Sequence, residues 1–118
     1  MVVYVDSREE LERLLKTRKL LLIVYSDRSD DSRSLSYAAR MFERIREPII
    51  TVAIIDVTRT NDKSLLSDID TLPIAKLYMN GRAIFEQKGS MGYYQKDFIA
   101  LKEGIKSVLA GRGIRLLL

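Results

Sequence analysis

The sequence predicts an α/β fold, a mixed central sheet with helices on both faces, on three observations. Residues 20–25 are continuously apolar and residues 49–57 nearly so, and both runs are bounded by polar residues, as strands covered on both faces require. Stripes of apolar residues at helical spacing alternate with these runs. The pair Asn80-Gly81 separates two further β-prone runs and suits a two-residue hairpin, because both central positions need positive φ.

The elements follow in order. Residues 1–5 are a short β-prone run. Ser7 followed by Glu10 is a capping-box pattern that opens a helix with Leu11, Leu14 and Leu15 on one face. After the strand 20–25 and the polar stretch 26–34, Leu35, Ala38, Ala39, Phe42 and Ile45 mark a helix that ends near Pro48. Residues 49–57 give the second buried strand and residues 62–69 a short helix or turn. Leu72-Pro73 precedes a strand over 74–79, and the hairpin leads into 82–87. A break from Gly89 to Gly92 precedes a final helix with Phe98, Leu101, Ile105, Val108 and Leu109 on its apolar face, ending at Gly111. The order is β-α-β-α-β-α-β-β-α, with one domain expected over 1–110 and an apolar extension over 111–118.

Composition narrows the function classes. At 118 residues with 47% hydrophobic content, one domain with a sizeable core is expected. The absence of cysteine removes disulfides, thiolate nucleophiles and thiolate metal sites, and the absence of histidine removes the usual neutral-pH base. The net charge of +4 comes from signs interspersed along the chain, so nucleic-acid binding is not expected, and no run is long enough to span a bilayer. A cytoplasmic protein with no cofactor and no membrane partner follows as the expectation. The excess of Arg over Lys and the scarcity of Asn and Gln follow the trend of heat-adapted proteins.

The element order, together with Leu72-Pro73-Ile74, Asn80-Gly81 and Gly89 at their separations, resembles the thioredoxin family over roughly residues 1–110. The resemblance implies a cis peptide before Pro73, beside the place where the family carries its redox segment. That segment, Trp-Cys-Gly-Pro-Cys in the family, corresponds here to Arg28-Ser29-Asp30-Asp31-Ser32, and the family's buried proton-shuttling aspartate corresponds to Ile23. Serine hydroxyls cannot replace thiolates in disulfide exchange. The resemblance therefore implies the fold and withdraws the activity.

What it leaves is a face for binding, drawn from Tyr25, Arg28, Ser29, Asp30, Asp31, Ser32, Thr71, Leu72 and Pro73, where the backbone before the proline offers an edge for an extended segment. The same residues also read as a helix N-terminus, with Ser or Asp as the cap. Asp27, Asp30 and Asp31 lack the spacing of a calcium loop, and neither Ser29 nor Ser32 has a nearby base, so no metal and no catalytic residue is expected. Tyr93 and Tyr94 beside Met91 read as a half-buried cluster at the start of the last helix.

Ile114, Leu116, Leu117 and Leu118 are strongly apolar and call for a cover, either the chain's own domain or an interface with a partner or second copy. The expected function is a redox-inactive binding module, an adaptor or chaperone-like subunit with a protein or peptide partner. The alternatives are a non-redox enzyme of the same fold that holds a small thiol such as glutathione beside Ser29 and, more remotely, weak nucleic-acid binding.

Overall fold

Residues 2–67 and 69–117 are described in the computed structural model of the chain. Five strands, β1 (Val2–Tyr4), β2 (Leu20–Ser26), β3 (Thr51–Asp56), β4 (Ile74–Met79) and β5 (Arg82–Lys88), form one sheet in the order β1-β3-β2-β4-β5. The run predicted to be buried on both faces is the central strand β2. It pairs in parallel with β3 and antiparallel with β4, in the registers Leu21↔Thr51 and Leu22↔Leu77. β1 joins β3 in parallel and β5 joins β4 antiparallel.

Alternation along the strands divides the core in two. Leu21, Ile23 and Tyr25 of β2 and Ala53 and Ile55 of β3 meet Leu11 and Leu14 of helix α1 (Arg8–Thr17) on one face. Leu20, Leu22 and Val24, with Val52 and Ile54, meet helices α2 (Asp30–Arg40) and α3 (Tyr94–Ala110) on the other. Each fully covered aliphatic side chain contributes about 1.5–3 kcal/mol relative to exposure. Ser7 caps α1 by accepting the Glu10 amide at 3.2 Å, as its pattern predicted. α3 crosses β5 closely at Gly104, where an added Cβ would lie 2.3 Å from a carbon of the Phe85 ring.

Three local differences follow, and the end of α3 is as expected. The helix or turn expected over 62–69 is a single 3₁₀ segment, Lys63–Leu66, because Asp62 caps it at once and Leu65 is its one fully buried side chain. The strand expected from residue 49 starts at Thr51: residues 48–49 form a turn that leaves Ile49 77% exposed. α2 passes into a 3₁₀ segment, Met41–Arg44, before the end of its apolar stripe. α3 ends at Ala110 with Gly111 as its C-cap, and Gly113 closes the turn that follows. Gly113 adopts φ +73°, its amide bonds to Ala110 O at 3.1 Å, and the Ile114 amide bonds to Leu109 O at 2.9 Å, the two bonds of a Schellman cap.

That cap turns the C-terminal segment back onto its own domain. Ile114 packs on the α2/α3 core, Leu116 is buried in it, and the Leu117 amide donates to Glu47 O at 3.0 Å. Leu117 itself stays half-exposed, and Leu118 lies outside the described residues. Since β5 is parallel to β2, all three helices begin where β2 and β3 finish and end at the opposite pole. The ends of the described chain meet at that opposite pole: Val2 pairs with Val52 at the start of β3, and Leu117 bridges to Glu47 just before it.

Candidate functional site

The C-terminal end of β2 and the start of α2 hold most of the predicted site residues. β2 is followed by α2 on one face of the sheet, whereas β3 is followed by the 63–66 turn on the other, so a crevice opens between Ser26 and Asp56, which are paired in the sheet. In α/β sheets such switch points are where ligands bind. Ser29 caps α2, accepting the Ser32 amide at 3.1 Å. The fully buried Ser32 hydroxyl accepts the Asp27 amide at 3.0 Å and donates to Asp27 Oδ1 at 2.7 Å, while the Ser29 amide donates to the same oxygen at 2.8 Å. Hydrogen bonds from Ser29, then Ser32, hold the Asp27 carboxyl below its usual 3.8.

This closed ring consumes both hydroxyls. Asp30 and Asp31 point into solvent at the first turn, where they oppose the helix dipole, and Asp30 lies 3.7 Å from Arg33. Arg28 lies near enough to Asp56 to lower its carboxyl, after the larger effect of the Thr58 hydroxyl bonded at 2.6 Å. Ser26, Asp27, Ser32, Ile54 and Asp56 border a cleft of about 370 Å³ of mixed polarity, with Tyr4, Arg33, Ser36, Tyr37 and Arg40 on its other side.

The Pro73 loop arrives at the same end of the sheet, since Ile74 pairs with Tyr25. The Leu72-Pro73 peptide is cis, and Pro73 O accepts the Gly89 amide at 2.7 Å, tying this loop to the break before α3. Among the described residues, Thr71 and Leu72 make no backbone hydrogen bond. They border a second, apolar cleft of about 380 Å³ with Val57, Leu66, Ile69 and Asp70. Tyr25, Ser32 and Pro73 are buried and shape the face from beneath, which leaves Arg28, Ser29, Asp30, Asp31 and Leu72 as its exposed elements, with Thr71 half-buried.

Neither a protein-family model nor a curated protein sequence matches the chain. Solved structures do. A thioredoxin from Trypanosoma brucei brucei superposes with a TM-score of 0.73 at 14% identity, over 93% of this chain and 92% of that one. A mutant thioredoxin from Halobacterium salinarum NRC-1 gives 0.72 at 22% identity, over 91% and 89%, and Plasmodium falciparum thioredoxin gives 0.68 at 16%, over 86% and 93%. The chain has a thioredoxin fold.

This thioredoxin fold carries no cysteine, so it has no thiol of its own to exchange. Among its described residues no helix is long and apolar enough to cross a membrane. The sequence reading missed a fully buried acid. Asp97 is 0% exposed and accepts from the Ser34 hydroxyl at 2.6 Å, the Ser90 hydroxyl at 2.6 Å and the Met91 amide at 2.8 Å. It joins α2, α3 and the loop after β5. The signal was spacing: Asp97, Leu101, Ile105 and Leu109 recur every four residues, which puts an acid on the buried stripe. Tyr93 and Tyr94, expected half-buried, are exposed, and Tyr94 meets Tyr37 of α2 edge-on with centroids 4.7 Å apart.

Proposed function

We propose that this thioredoxin fold is a redox-inactive binding module, an adaptor or chaperone-like subunit that takes an extended peptide segment along Thr71-Leu72. The observation that carries the reading is the pair of backbone-unpartnered residues Thr71 and Leu72 at the rim of an apolar cleft. An extended segment would gain main-chain hydrogen bonds from these residues, as in strand addition, and would set one apolar side chain among Val57, Leu66 and Ile69. The small-thiol alternative is less well supported, because the Ser29 hydroxyl already accepts the Ser32 amide and the Ser29 amide already donates to Asp27.

The test is an array of short synthetic peptides probed with the whole protein. Peptides with one large aliphatic residue flanked by β-prone residues are expected to be retained, and Leu72→Asp is expected to abolish retention without lowering the melting temperature. The control Ile99→Asp, at an exposed position in α3, is expected to retain them. Equal retention by Leu72→Asp and the unaltered protein would refute the reading.

A further inference from the structure

The geometry points to the pole opposite the candidate site as a docking surface for an anionic lipid bilayer. Basic residues dispersed along the sequence converge there. Arg18 and Lys19 follow α1, Arg44 and Arg46 precede β3, Arg82 opens β5, and Arg115 lies in the returning C-terminal segment. Three links bring these segments together: the Asn80 amide donates to Lys19 O at 2.8 Å, Leu21 pairs with Thr51, and the Leu117 amide donates to Glu47 O. All six cations are exposed, and none forms an ion pair with a described residue. Glu12, Glu43 and Glu47 are interleaved with them, and Arg8 offsets Glu12 at 3.7 Å.

Complementing helix dipoles explains cations in the last turns, such as Lys16. It does not explain Arg46, Arg82 or Arg115, which lie outside the helices. Set among the cations are two aliphatic side chains held out in water, Ile49 at 77% and Leu117 at 45% exposure. Nucleic-acid surfaces stack bases on aromatic rings, whereas the exposed tyrosines sit elsewhere: Tyr37, Tyr93 and Tyr94 on mid-α2 and at the start of α3, and Tyr4 at the end of β1, on the cleft that Asp27 and Asp56 border. Cations around exposed aliphatics are the pattern of an interfacial lipid contact, where charge draws the protein to the headgroups and the aliphatics enter the acyl boundary.

The test is co-sedimentation of the whole protein with vesicles of phosphatidylcholine alone and of phosphatidylcholine with phosphatidylglycerol. Binding is expected only to the second and should fall as salt rises. Arg46→Ala and Arg82→Ala should each weaken it about fivefold, and Ile49→Asp roughly tenfold, with melting temperatures unchanged because all three side chains are exposed. Failure to sediment with the anionic vesicles overturns the inference, as does binding indifferent to Ile49→Asp. Retention of a DNA or RNA oligonucleotide with a steep salt dependence, indifferent to Ile49→Asp and without vesicle binding, would replace the bilayer with nucleic acid.

Discussion

Ser32 and Asp27 are joined twice: the serine hydroxyl donates to the carboxylate at 2.7 Å and accepts the aspartate's own amide at 3.0 Å. Together these bonds pin the end of β2 to the first turn of α2.

The pin is predicted to be acid-sensitive. Bonding from Ser29 and Ser32 depresses the Asp27 carboxyl in the folded state below 3.8. Its contribution is therefore fully present above that value and is lost as pH falls through the lower, folded pKa. Asp27→Asn should be less stable than the parent at neutral pH, and the gap should narrow in acid. Denaturant titrations at a series of pH values check this, and a constant gap would contradict it. Ser32→Ala, which orphans the buried Asp27 amide, should cost about 1–3 kcal/mol.

Restoring sulfur should not restore activity. Ser29→Cys with Ser32→Cys places thiols beside Asp27, Asp30 and Asp31, which raise thiol pKa values, and Ile23 offers no buried proton acceptor. In an insulin-reduction assay the double variant is expected to stay close to background. Rapid turnover would show that neighbouring charge matters less than assumed.

Asp97→Ala should be among the most damaging single changes, because it strands two hydroxyls and the Met91 amide. A loss of at least about 3 kcal/mol is expected by chemical denaturation. Asp97→Asn, which keeps a carbonyl acceptor, should cost less. If both variants cost the same, charge rather than hydrogen bonding dominates there.

Leu116 is buried against the α2/α3 core, so Leu116→Ala should cost about 2–5 kcal/mol, and removal of residues 114–118 should lower the melting temperature. A truncated protein that melts with the parent would mean the segment adds nothing to its own domain.

The order of strands and helices was legible because apolar periodicity reports burial directly, as in the unbroken run of β2 and the leucines of α1. So was the Ser29 cap, since capping depends on neighbours in sequence. What escaped the sequence depends on partners far along the chain. Asp97 finds Ser34 sixty-three residues away. Val57, Leu66 and Ile69 complete the apolar cleft from across the sheet end. The placing of Arg18, Lys19, Arg44, Arg46, Arg82 and Arg115 at one pole likewise depends on contacts between distant segments.

The placement of Val2 and Leu117 at the same pole, one on β3 and the other on the segment before it, governs how the molecule can be handled. A tag, tether or fused domain joined at either end would emerge next to Ile49 and Arg46 and point the Ser29–Leu72 face away from its support. Immobilisation through the termini thus presents the face that carries Ser29 and Leu72 and masks the basic pole. Experiments on that pole call for untagged protein, or for a label placed in the loop before α3.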